Sequence, residues 1–565
     1  MKKKSFICKT TLTVVGLLLF AGCGKDNIVD YSETDNPNDY VENVTFTRTI
    51  EVVFSTSSSA TVSGQSSDFD VTISGNDVTI ANNGSDTVQY NVSGSTSDGF
   101  LKIYSPIKQA ICLNSASIKN STGAAINVQG YTLSPSSGQR TYVVVSGTST
   151  LADGSSYSDT PTGEDEKAAL FSEGAILISG TGTLTVTASG KSGIISDAYV
   201  RLLDSPTVNV TSTAGHGIRG KNKVLVSGGT LGITVSANGK KGITSDGAVK
   251  ITGGATTVAV SGSATYDNED NEYTGTAGIK STGTFTISGG TLGITNSGTG
   301  GKGISGDGKG VFSGGTVTVS TTGSNYTSGD ISAKGIKFDG DLTFSGATVS
   351  VSCTSHEAIE SKGTISVTGG VVYGYSASDD GINSSGDFTV EDGMVCGHSA
   401  GNDGLDANGN FYIKGGIVYA IGTSQPEVGI DANTEGGYKL YVTGGTIVAI
   451  GGLESNSSLT QTCYSASSWS QSTWYGLTIG SSTYAFKTPS SGGTTLVVSG
   501  ASTPTLASGV TVSGGTSYFN STFTVGGAVS GGSSVTLSEY TGGNGGGGNP
   551  GGGGPGGNPG GGPGH

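Results

Sequence analysis

The stretches "SDDGIN", beginning at Ser378, and "GNDGLD", beginning at Gly401, carry the residues of this chain best suited to hold a cation. Each sets acids or amides before a Gly-aliphatic pair and another directly after it. Asp379 and Asp380 correspond to Asn402 and Asp403, and Asn383 to Asp406, at a spacing of 23 residues. Glu360 occupies the same place in the repeat before Asn383, and Asp431 in the repeat after Asp406. Stacked carboxylates ~5 Å apart repel unless a cation lies between them. Calcium (Ca2+) suits such a set, as a hard ion taking about 6–8 oxygen ligands. The competing reading is that Asx-Gly turns only satisfy their own backbone.

What must position these acids is a repeat. Gly-aliphatic pairs recur at Gly193-Ile194, Gly217-Ile218 and Gly242-Ile243 and continue to Gly429-Ile430, with two longer intervals where insertions fall. Each is followed by a second marker, usually Gly-Gly, as in "VSGGTL", "ISGGTL" and "IKGGIV". Short β runs at a period near ~24 residues predict one coil of a parallel β-helix per repeat. Equivalent residues then stack ~4.8 Å apart, and Ile304, Ile336, Ile359, Ile382 and Leu405 form an inward aliphatic column. In earlier repeats the position before the glycine holds His216, Lys241, Lys302 and Lys334, which would repel calcium, so the cation site belongs to the later repeats.

Sugar binding needs outward aromatic faces. In "GGVVYGY" and "GGIVYAI", Val372 and Val418 match inward valines, so Tyr373 and Tyr419 are expected outward, two repeats or ~9.6 Å apart. Trp469 and Trp474 lie in "CYSASSWSQSTWYG", which reads as an exposed stacking loop or as a cap over the end of the repeats.

Composition bounds the rest. Of 565 residues, 100 are glycine and 13% are charged, with a net charge of −15, which disfavours nucleic acid or an anionic membrane as partner. Four histidines leave little capacity for acid–base chemistry at neutral pH, and HExxH and P-loop signatures are absent from the sequence. Cys112, Cys353, Cys396 and Cys463 are scattered without a CxxC pair, so neither a zinc site nor a disulfide framework is expected.

The start reads as a targeting segment: a basic Lys2-Lys3-Lys4, an apolar run, and "FAGC", which resembles a bacterial lipobox and makes Cys23 the lipidated residue. The expected organisation is a signal peptide over 1–22, a flexible tether over 23–45, and the repeat domain over 46–455. A C-terminal cap or small β region follows over 456–540, then a disordered Gly/Pro-rich tail over 541–565.

The order of "ICLNSASIKNSTGAAINV", "KAALFSEGAILISGTGTLTV", "SGIISDAYVRLLDS" and "HGIRGKNKVLVSGGT" resembles the bacterial carbohydrate-binding parallel β-helix proteins, which are similar to family-nine pectate lyases. The resemblance implies a right-handed, single-stranded parallel β-helix, calcium at stacked turns, and affinity for cellulose-like or pectin-like chains. It also implies ligand roles for Asn402, Asp403 and Asp406 with Asp379 from the preceding repeat, Asn402 replacing an expected carboxylate. The lyases need a lysine or arginine base, and none is placed here; Lys414, one repeat above Glu391, is expected in a surface ion pair. The leading expectation is therefore a monomeric, non-catalytic, calcium-binding polysaccharide-binding lipoprotein of the outer membrane or cell surface. The alternatives are a calcium-dependent pectate lyase and an adhesin or structural surface protein.

Overall fold

The computed structural model describes residues 36–130, 139–158, 160–161 and 163–542. The signal peptide, Cys23 and the tail from 543 onward lie outside the described residues. Alternation of aliphatic and polar residues makes nearly every segment a strand, and parallel pairing joins each to its counterpart one repeat away. The aliphatic ladder runs in register from Ile194 to Ile218 and Ile243, and onward through Ile304, Ile336, Ile359 and Ile382 to Leu405. All of these side chains are buried, and each such burial contributes about 1.5–3 kcal/mol. Beside them Phe312 stacks on Phe344 at 4.9 Å and Phe388 on Phe411 at 4.5 Å.

The Gly-Gly markers turn corners. In the long strands Phe285–Asn296, Gly310–Thr321, Ile365–Ser376 and Phe388–Ser399, the glycines Gly290, Gly315, Gly370 and Gly393 have φ of 75–82°. A side chain at Gly315 would also place its Cβ 2.7 Å from the Gly290 carbonyl oxygen. Only glycine tolerates both conditions.

The expected right-handed, single-stranded β-helix solenoid is corrected by this structure. The chain is all-β without α-helices among the described residues, but its parallel strands close around one filled interior as a barrel-like wall that carries extra strands. The wall is built from sheets of 27 and 14 strands, with further sheets of six, two and two. Antiparallel strands enter it at both ends: Arg48–Phe54 pairs with Thr61–Ser63, and Thr446–Ile450 with Leu496–Ser499. A repeat period specifies which residues stack, and leaves the closure of the wall and its additions to long-range packing.

Two flanking regions are more tightly held than the sequence suggests. Pro37–Asp39 and Val41–Asn43 form 3-10 turns inside the expected tether. Asp39, 2% exposed, accepts from Arg140 at 3.3 Å and Arg201 at 3.0 Å and also from the Tyr199 hydroxyl. At the other end, a six-stranded antiparallel sheet from Trp474–Ile479 onward lies on the outside of the wall, where Phe486, Phe519 and Phe523 form a second core with Cys396, Tyr419 and Val448.

Candidate functional site

Because the aliphatic residue of each repeat points inward, the residues immediately around it are displayed along one edge of the wall. Parallel register stacks Lys337, Glu360, Asn383 and Asp406 in one column of that edge. Beside it, Lys302 pairs with Lys334, and Glu357, Asp380 and Asp403 continue the line. The edge therefore changes from basic to acidic along the molecule.

The acidic end is buried. Asp380 is 5% and Asp403 7% exposed. Asn383 donates to Asp380 Oδ2 at 2.9 Å and to Asp406 Oδ2 at 2.8 Å, linking successive repeats through one amide. Burial, then the Asp406 charge, pushes the Asp380 carboxyl up to about 8. Burial also raises Asp403 to about 9, assisted by Asp380, and Asp406 to about 6. Asp431 rises to about 10 through burial and its hydrogen bond with Glu454. Asp380, Asp403 and Asp431, whose carboxyls would otherwise hold protons at neutral pH, are oxygen donors of the kind a hard divalent cation takes, spread over three successive repeats.

The other expected ligands are committed differently. Asp379 Oδ2 meets His356 Nδ1 at 2.7 Å, and its Oδ1 accepts from Asn402 Nδ2 at 3.2 Å. Burial works against the charge on His356, but its bonds to Asp379 and Glu357 prevail and raise it to about 9. Ligand atoms of His356, Glu357 and Asp379 all lie within 4.8 Å of one another, yet His356 and Lys334, 3.0 Å from Glu357, already neutralise them. Glu360, 1% exposed, takes its charge balance from Lys334 at 2.5 Å and from Lys362. Thus Asp380, Asn383, Asp403, Asp406 and Asp431 form the acid-rich centre, while Asp379, Asn402 and Glu360 belong to the ion-pair network at its border. Lys414 meets Glu391 at 3.1 Å, as expected.

The aromatic expectation is corrected. Tyr373 and Tyr419 do leave the wall outward, but the C-terminal sheet covers them. Tyr419 is fully buried, donates to the Lys487 carbonyl at 2.8 Å and packs against Phe523 at 5.6 Å. Tyr373 is half-buried and stacks on Phe519 at 6.1 Å. An outward row of Tyr373, Cys396, Tyr419 and Val448 is an apolar surface, and burying it drives the sheet onto it. Trp469 and Trp474 are half-buried within the same body, Trp469 Nε1 donating to the Gly493 carbonyl at 2.7 Å. The exposed rings among the described residues include Tyr438, 43% exposed, and Tyr266 and Tyr273, 39% and 43% exposed, the last two on the hairpin formed by the first insertion. Sequence reasoning passed over them, although both tyrosines stand in an acidic, non-repeating segment.

Among solved structures, the chain is similar to the polysaccharide lyase-like protein from C. thermocellum, studied as a gadolinium derivative. The two share 20% identity over 46% of this chain and 95% of that one, with a TM-score of 0.37. No curated protein matches this chain. The profile of a family described as carbohydrate-binding domain-containing protein matches residues 74–247 and 233–381, which leaves Asp403, Asp406 and Asp431 beyond the matched segments. Those segments span more than half of the residues, and the chain belongs to the carbohydrate-binding domain-containing proteins.

Proposed function

We propose that this protein binds a plant-wall type of polysaccharide, cellulose-like or pectin-like, at a bacterial cell surface without altering it. Lipid attached at Cys23 anchors the chain, and calcium held by Asp380, Asp403, Asp406 and Asp431 stabilises the later repeats. Membership of the carbohydrate-binding family is the observation that carries the sugar reading. The raised carboxylates support the calcium reading, because a divalent cation offsets the burial penalty first and the mutual repulsion next. Calcium supplies charge compensation when bound; Asn383 orients the carboxylates above and below it.

A glycan array probed with and without calcium tests this reading. Binding to plant-wall glycans that weakens after chelation is the expected result, and a protein that binds no glycan in either condition overturns it. For the anchor, Cys23→Ser is expected to move the protein from the membrane fraction to the soluble one.

A second reading, a calcium-dependent lyase, draws on Lys241 and Lys302, which burial first and neighbouring lysines next push down to about 8. Lysines in that range can accept a proton. What weighs against this reading is position: Lys302 stands three rungs from Asp380, ~14 Å along the wall, and Lys334 is committed to Glu357 and Glu360. Unsaturated, ultraviolet-absorbing products from pectate would favour the lyase.

A further inference from the structure

We propose that the polysaccharide lies in an open groove across the outer wall, over the row Asn209, Gly232, Thr257, Gly293 and Thr318, and that this groove takes an uncharged β-linked glycan. The assignment rests on the reading that the protein binds polysaccharide, and it gives that reading a place and a ligand class. The groove encloses about 470 Å³, within the range of about 300–1,000 Å³ common to ligand clefts.

Parallel register puts these residues side by side on successive strands: Asn209 beside Gly232, Gly232 beside Thr257, Thr257 beside Gly293 and Gly293 beside Thr318. Side chain and glycine alternate along the row. The resulting corrugation repeats every second rung, ~9.6 Å, close to the disaccharide step of a β-linked chain whose successive rings are turned over. The intervening residues Val210, Ile233, Val258 and Ile294 are core, so the floor is rigid. A second row through Thr211, Thr234, Thr295 and Ser320 adds hydroxyls.

Chemistry selects the ligand. None of the groove's lining residues is charged, so a uronate carboxylate entering it would lose hydration without gaining a counter-charge. A neutral polyol finds amide and hydroxyl partners instead. The insertions bearing Tyr266 and Tyr273 and bearing Tyr326 leave the wall after Ala259-Val260 and Ser320-Thr321, where Ala259 and Ser320 line the groove, and meet each other with the Tyr273 and Tyr326 rings 6.0 Å apart.

The same row continues through Ser350, Tyr373, Cys396 and Tyr419. There the C-terminal sheet lies over it. The row is thus open over the earlier repeats and closed over the later ones, so a bound chain would end against the sheet.

The test is affinity electrophoresis of the detergent-solubilised full chain in calcium. Hydroxyethylcellulose and xyloglucan serve as neutral probes and polygalacturonate as the anionic one. Neutral probes should retard the wild type. Gly293→Glu should weaken that retardation at least about tenfold, or ~1.4 kcal/mol, at an unchanged melting temperature. A Cβ at Gly293 meets nothing nearer than Thr257 Cγ2 at 3.8 Å, so the fold has room for it. Should that variant misfold, Asn209→Ala combined with Thr318→Ala, both exposed, must weaken binding instead. A folded variant that binds like the wild type overturns the groove while leaving polysaccharide binding intact. Retardation by polygalacturonate alone overturns the uncharged ligand, and a wild type that binds no probe overturns both readings.

Discussion

Asp403 stands one strand above Asp380, its main-chain N–H donating to Asp380 Oδ1 at 3.2 Å, while its own Oδ1 accepts from the Val428 N–H at 2.5 Å. Two buried acids are thus tied into consecutive rungs by backbone donors, and their side chains cannot swing apart to relieve repulsion. The cluster is held by the fold, so its ionisation is coupled to stability.

Calcium should therefore raise the melting temperature of the wild type. Binding only to the folded state adds ~2.7 kcal/mol when free calcium is a hundredfold above its Kd. Asp403→Asn, which keeps shape and removes charge, should erase most of that difference. Calorimetry in calcium and in chelator reads it, and identical melting of the wild type in both removes the cation site.

The chelated protein should lose stability as pH rises. The Asp380 carboxyl moves from 3.8 to about 8 on folding, so between those values the folded chain binds more protons than the unfolded one, and stability falls with pH. His356, raised from 6.5 to about 9, acts in the same direction: its contribution is complete below 6.5 and gone above about 9. Melting temperatures of the chelated protein measured from pH 6 to pH 9 should decline, and Asp380→Asn should decline less. A rise over that window contradicts the assigned directions.

Asp39→Ala should destabilise the N-terminal end. It leaves Arg140 and Arg201, each buried with its side chain 7% exposed, without their carboxylate, and breaking a buried pair costs about 3–5 kcal/mol. Denaturant unfolding measures the loss. Limited proteolysis should show new cleavage near Tyr40, and an unchanged pattern would mean that these residues are held by other contacts.

Tyr419→Ala should cost stability rather than sugar affinity. Removing a buried aromatic costs about 3–5 kcal/mol, here at the junction between the wall and the C-terminal sheet. Unfolding should separate into two transitions as the sheet loosens. A loss of glycan binding at unchanged stability would return Tyr419 to the binding surface.

The stacking of the repeats was legible in the chain because period and alternation are local properties. A small residue, glycine or the alanine at Ala358, before an aliphatic one at intervals of about 24 outside the insertions determines that Ile336 neighbours Ile359, and that Asn383 lies between Glu360 and Asp406. The acidic edge was legible for the same reason. Its inner division was not: Asp379 and Asp380 are adjacent, yet one is drawn to His356 and lowered while the other is buried among acids and raised. Which way each side chain is pulled depends on charges contributed by other repeats.

Closure of the wall, the anchoring of Asp39 by Arg140 and Arg201, and the covering of Tyr373 and Tyr419 were decided only in three dimensions. Alternation reveals that a residue faces outward from its strand, but outward becomes exposed only if nothing else packs there. The segment that covers Tyr419 includes Phe523, about a hundred positions away in the chain. The apolar row and the sheet meet because each buries the other's surface, a free energy that belongs to the pair and to neither sequence alone.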